Sequence, residues 1–246
     1  MFTDLYLIYI ISGIIILPCI LLSVWASTKV HSAYAAFDKI PTSSDWTGSD
    51  AARMLLEKNG IYDINVVKGK GKLTDHFDPR KSIVSLSEST YNSNSVAAVA
   101  VAAHEIGHVV QKKKGYLFYN LRTLLVPITN FGSYLALPLV ILGVILGLTM
   151  ATSSAGNILV FVGVCLYGLS TLFTLVTLPV ELNASRRAKK MLAETGVLQT
   201  EQEKKGAEKV LSAAAMTYVA ALLTSLVYFI RFLLYVFILT GRNRNK

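Results

Sequence analysis

The sequence predicts a mainly α, multi-pass α-helical membrane protein of about four spans, with a small α+β domain built onto the helices. Three observations carry this. Charged residues make up only 16% of the 246 positions while 53% are apolar, and mean hydropathy is +0.50. A soluble domain carries about a quarter charged residues, so an ordinary cytosolic globule is excluded. Second, Leu5–Thr28, Thr123–Val180 and Val210–Ile230 contain no charge. Each can cross a hydrocarbon core of about 30 Å, and the middle one can cross it twice. Third, the basic residues alternate between loops: thirteen Lys/Arg separate the first and second spans, seven lie between Glu181 and Lys209, and the turn Ala151–Asn157 has none.

That alternation is the positive-inside pattern, and it accounts for the net charge of +9 without a nucleic-acid partner. The same charges favour anionic lipid headgroups. Cys19 and Cys165 fall in different apolar spans and read as small buried thiols, so a cysteine zinc site is excluded.

Read in order, residues 1–28 form an N-terminal transmembrane anchor. The segment before its apolar run, Met1-Phe2-Thr3-Asp4, is acidic, and the run is too long for a cleaved signal. Lys29 and Lys39 follow, so the amino terminus is expected outside and residues 29–122 in the cytoplasm. Within that domain Val30–Thr42 extends the helix to a turn at Pro41, and Thr47–Asp50 caps a helix that Gly60 stops. Ile61–Lys68 and Ser82–Ser87 alternate as strands joined through a turn at Gly69–Gly71, with Asp75–Pro79 as a polar loop between them. A helix starts near Ser93–Ser95 and runs through an alanine-rich lead into His104–His108, ending in Lys112–Lys114.

Residues 123–180 form a transmembrane hairpin, roughly Val126–Met150 and Ile158–Leu178, with Pro127, Pro138 and Pro179 near ends or kinks. Gly143 and Gly147 share one helical face and suit close packing inside the bundle. Residues 181–212 return as cytoplasmic helices, and 213–246 form a last span and a basic tail. Arg231, inside that span, reads as a snorkelling or paired structural arginine.

The chemistry concentrates in His104-Glu105-Ile106-Gly107-His108. Positions i and i+4 share a helix face, so both imidazoles can reach one ion, while the adjacent Glu105 comes close without ligating it. Zinc hydrolases need this set: two neutral nitrogens on Zn²⁺ and a carboxylate that takes a proton from the activated water. With four His and eight Glu in the chain, chance would supply this pattern about 0.002 times, which removes coincidence as the simpler account.

A catalytic zinc takes a third protein ligand. The elongated form with a third histidine is excluded, because Gln111 stands where its glycine would be. The candidates are His31, His76, Asp78, Glu181, Glu194 and the group Glu201, Glu203 and Glu208. Glu181 is favoured: it is the first charge after 58 uncharged residues, and two spans return it to the side that carries the histidines. The bland alternative is an interfacial carboxylate paired with Arg186 or Arg187. His76 and Arg187 are candidates for oxyanion or substrate contact; a hydrogen bond within an Asp-rich turn and a solvated charge are their plain alternatives. The strand Ser82–Ser87 is a candidate edge for an extended substrate.

Leu178–Ala188, His104–His108 and Leu73–Pro79 together resemble the bacterial neutral zinc membrane metallopeptidases of the YugP type, over essentially the whole chain. Glu181-x-x-Ala184 is more distantly similar to the E-x-x-A-D element of the HtpX heat-shock membrane proteases and CAAX prenyl proteases. In those gluzincins the glutamate is the third zinc ligand, which implies that role for Glu181. Ser185 stands where they carry an aspartate that orients a ligand histidine, and a hydroxyl holds an imidazole less firmly.

The expectation is therefore a zincin-like catalytic domain at the cytoplasmic face of the cell membrane. One Zn²⁺ sits on His104, His108 and Glu181, Glu105 is the general base, and the substrate is a peptide or protein, membrane-associated because the site sits at the bilayer surface. The spacing alone implies zinc-assisted hydrolysis; the resemblance implies peptidase chemistry. The alternative is a membrane scaffold whose zinc site is structural and turns nothing over.

Overall fold

The computed structural model describes residues 2–149 and 154–241. It is mostly helical: α1 (Phe2–Phe37), α2 (Gly48–Lys58), α3 (Glu88–Tyr91), α4 (Val96–Lys113), α5 (Leu117–Thr149), α6 (Ser154–Thr195) and α7 (Glu201–Gly241), with strands β1 (Asn65–Lys68), β2 (His76–Asp78) and β3 (Ile83–Leu86). Four of the helices, α1, α5, α6 and α7, are long and apolar enough to cross a membrane, and the chain is a mainly α multi-pass membrane protein. The basic tail from Arg242 and the first three residues of the turn Ala151–Asn157 lie outside the described residues.

The chain divides into two compact units. The first comprises Met1–Val24, Leu121–Thr177 and Val219–Lys246. Small residues set its close approaches: a β-carbon on Gly143 would stand 2.6 Å from the Gly156 carbonyl oxygen, and one on Gly163 would stand 2.7 Å from that of Ala136. The Gly143 face therefore packs within the hairpin, against Gly156. Tyr167 stacks on Phe232 and Phe229, and Ser225 Oγ donates to Thr171 Oγ1 at 3.2 Å. Arg231 donates from Nε to the Tyr235 hydroxyl at 3.0 Å, the paired arrangement its position called for. The thiols depart from expectation: Cys19 is half-buried and Cys165 exposed on its helix.

The second unit comprises Trp25–Asn120 and Leu178–Tyr218. Its apolar core gathers Ala51, Leu55 and Leu56 of α2, Val84 and Leu86 of β3, the alanine-rich face of α4, and Ala188, Leu192, Val210 and Leu211. Thr47 and Asp50 form a capping box at the start of α2, and Gly60, at φ 67°, lets the chain leave the helix. Ser95 caps α4 by accepting from the Ala98 N–H.

The sheet differs from the sequence reading. Its order is β1-β3-β2, with β1 parallel and β2 antiparallel to β3. Residues 76–78, expected as loop, form the strand β2, registered His76 on Ser85 and Asp78 on Ile83. Asp75 supports it by accepting from the Ser87 N–H and hydroxyl at 2.8 and 2.9 Å. The strand at 83–86 is central and both its edges are paired, so it cannot accept an added substrate strand.

Glu203 ties the start of α7 to the loop after α1. Its carboxylate accepts from the Ser43 N–H at 2.7 Å and from the Ser43 hydroxyl, and from the Gln199 and Thr200 N–H groups at 2.7 and 3.2 Å. Burial pushes this carboxyl upward, but the Ser43 and backbone donors outweigh it and hold its pKa below the ordinary value. Its contribution is thus full above about pH 4.5 and lost as pH falls through the lowered folded value. Glu203→Ala is expected to cost about 1–3 kcal/mol at pH 7. In thermal melts the gap between parent and variant should narrow as pH falls below the ordinary glutamate value.

Candidate metal centre

The site is built where α4 meets α6. At 42 residues α6 runs about 63 Å, roughly twice a hydrocarbon core, so the helix continues well past its apolar stretch into the polar segment that carries Glu181. The approach depends on Gly107. A β-carbon there would stand 2.6 Å from the Ala184 carbonyl oxygen and 3.1 Å from its Cα, so only glycine lets the two backbones come this close. Ala184 and Ala188 are fully buried at the contact.

With the helices seated, His104 and His108 project from successive turns of α4 toward Glu181. His104 Nε2 lies 3.1 Å and His108 Nε2 3.4 Å from Glu181 Oε2. The candidate ligand atoms of all three residues lie within 4.8 Å of one another. The rings meet edge to face, at 88°, with centroids 4.8 Å apart. Tetrahedral zinc with bonds of about 2.0–2.1 Å puts neighbouring ligand atoms about 3.3 Å apart, so the two nitrogen–oxygen distances and the N, N, O donor set fit zinc.

Each ring is held at its other nitrogen. His104 Nδ1 is 3.2 Å from Ser185 Oγ, and His108 Nδ1 is 3.0 Å from Gln111 Oε1. Such partners orient metal-binding imidazoles. Glu181 is 2% exposed. Burial raises its pKa, but the hydrogen bonds and charge of both histidines outweigh that and leave it well below the ordinary carboxylate value. Burial lowers the His108 pKa, while Glu181, Glu105 and Gln111 raise it to a net value above the ordinary imidazole value. The geometry thus sets an anionic Glu181 against both histidine rings.

Glu105 is buried on α4 beside the first histidine. The other third-ligand candidates are engaged elsewhere or lie apart. Glu203 is the latch described above, Asp78 accepts from the Arg80 and Lys81 N–H groups, and Glu194 and Glu208 pair with Lys190 and Lys189. His31 is exposed on α1. His76 is exposed on β2, its Nδ1 2.8 Å from the Thr74 carbonyl, and it does not join the cluster. Arg187 donates from Nε to Asn183 Oδ1 at 2.7 Å, and Arg186 is exposed. Sequence reasoning missed Gln111 and Asn183. Gln111 counted only as a departure from the elongated motif, although its place three residues after His108 puts both on one face of α4.

The family described as "Putative neutral zinc metallopeptidase" matches residues 12–237. The chain belongs to this family. It is also 42% identical over 224 residues to "Putative membrane protease YugP" of Bacillus subtilis (strain 168), covering 91% of this chain and 95% of that protein. No solved structure matches. Zinc is thus the metal the family description names, and the His104–His108–Glu181 cluster is where this family member could hold one.

Proposed function

We propose that this chain is a membrane-embedded zinc-dependent endopeptidase. The observation that carries the reading is the convergence of His104, His108 and Glu181, brought from two distant parts of the chain, on one point, with Glu105 next to His104 in the chain. His104 Nε2, His108 Nε2 and a Glu181 carboxylate oxygen would hold the zinc. When bound, the ion lowers the pKa of a water to about 7 and polarises a peptide carbonyl.

The protein's own groups do the rest. Glu105 takes the proton from the attacking water and hands it to the departing amine. Ser185 and Gln111 keep the two rings turned toward Glu181. Of the two sheet edges, β2 packs on α4, so β2 is where an extended peptide would add and lie across the histidines. The substrate is a peptide or protein; the neighbouring spanning helices in the sequence support a membrane-associated one, and the distribution of Lys and Arg supports a site on the cytoplasmic side.

Metal removal tests the proposal. Chelation of the purified protein should abolish cleavage of casein or a membrane-protein substrate, and about one equivalent of zinc should restore it. Cleavage that survives complete chelation would contradict the mechanism. A protein that holds zinc tightly yet cleaves nothing under broad conditions would leave the scaffold reading standing.

A further inference from the structure

We propose that Gln111 is a positioning residue for His108: a relay from Arg187 through Asn183 locks its amide so that Nδ1 is held as the donor and Nε2, facing Glu181, is the nitrogen left for a metal ion. The inference rests on the reading of His108 as a zinc ligand and adds how the chain presents it.

Gln111 is fully buried, and its side chain makes three polar contacts of distinct chemistry. Nε2 lies 2.7 Å from the Val180 backbone carbonyl and 3.0 Å from Asn183 Oδ1, while Oε1 faces His108 Nδ1 at 3.0 Å. A backbone carbonyl only accepts, so the amide NH₂ must face Val180. Asn183 supplies a second, independent reason. Arg187 Nε, 2.7 Å from Asn183 Oδ1, only donates. The Asn183 atom there must therefore be oxygen, and what shares that oxygen with Arg187 must also be a donor.

Both anchors require the same orientation, which leaves Gln111 Oε1 toward the ring. Oxygen and nitrogen lone pairs would repel across 3.0 Å unless His108 Nδ1 carries the hydrogen. With Nδ1 committed as the donor to Gln111, Nε2 is the nitrogen left for a metal ion, and it is the one that faces Glu181. Val180 precedes Glu181 and Asn183 follows it by two residues, so one amide fixes the His108 ring relative to the α6 segment that brings the carboxylate. His104 has no equivalent lock, because the Ser185 hydroxyl can donate or accept. Arg187 thereby acts through Asn183 rather than on substrate.

The test uses the full chain in detergent with ¹⁵N-labelled histidine; only four histidines contribute. Two readouts are taken: the ring-nitrogen spectrum, which identifies the protonated nitrogen of neutral His108, and the zinc dissociation constant by chelator competition. The parent should show His108 protonated on Nδ1. Gln111→Met should mix the two tautomers and weaken zinc about 10–100-fold. Asn183→Leu should weaken zinc about 10-fold, whereas Asn183→Asp, which keeps an acceptor for both donors, should stay within about threefold of the parent.

The relay is overturned if neutral His108 carries its proton on Nε2 in the parent. It is also overturned if folded Gln111→Met keeps parental spectrum and affinity, or if Asn183→Asp is as damaging as Asn183→Leu. Should Gln111→Met fail to fold, the two Asn183 variants decide. A parent that binds no zinc would sink the ligand reading of His108, and the ring spectrum would still decide whether the relay exists.

Discussion

Glu105→Gln should leave zinc bound and reduce cleavage by about 10²–10⁴-fold, the range a positioned general base contributes. The substitution keeps the shape of the side chain, which is buried on α4 next to His104, and removes only its capacity to take a proton. Neither His104, His108 nor Glu181 changes, so metal content should match the parent. The pairing of the two measurements gives the test its force. A variant that loses zinc as well as activity would make Glu105 a structural part of the metal site. A variant with full activity would remove it from the mechanism, because no other carboxylate among the described residues joins the cluster apart from Glu181.

Gly107→Ala should do comparable damage by a different route. The added methyl would meet the main chain of Ala184, with its carbonyl oxygen at 2.6 Å and its carbonyl carbon at 3.1 Å. A side chain could rotate away, whereas a helix backbone packed in a buried contact cannot, so α6 must shift. Overpacking of this kind costs about 1–3 kcal/mol or more. Ser185 and Glu181 flank Ala184 on the shifted segment, so displacement there opens the spacing between Glu181 and both imidazoles. Zinc affinity should fall at least about 10-fold, since a change of this size in ligand geometry exceeds the loss of a single outer hydrogen bond. Thermal melts and chelator competition on the same preparation check both effects. Unchanged affinity would show that the close approach at Gly107 does not set the site.

The parts of the fold that were legible in the sequence are those whose signal is local. Long uncharged runs give spans because hydrocarbon tolerates little else, and His104 and His108 share one face of α4 because a helix turn fixes their spacing. Glu181 was legible through topology: a hairpin must return its chain to the side it left. The sheet was not. Asp75–Pro79 carries Asp, His and Pro, residues depleted from strands, and β2 is only three residues long; pairing with β3 and the Asp75–Ser87 bonds make it a strand. Its insertion on one side of β3 also makes β1 and β3 parallel, which no local pattern announces.

At the site, Gln111 and Asn183 escaped notice, and Arg187 was read as a substrate contact, because their roles depend on one another. A buried amide has no recognisable motif, and its meaning emerges only when a carbonyl and a guanidinium are found holding it. Gly107 similarly reads as a helix weakness in sequence and as a requirement once Ala184 is seen against it.

The central claim is that two imidazoles from α4 and one carboxylate from α6 hold a zinc ion. Metal analysis of the purified protein alongside Glu181→Gln tests it most directly. The amide keeps the shape and the hydrogen-bonding reach of the carboxylate and removes its charge. About one zinc per chain is expected in the parent, with affinity at least about 10-fold weaker in the variant, a loss no smaller than that of an outer hydrogen-bond partner. A variant that keeps a full equivalent of zinc at parental affinity would contradict the claim.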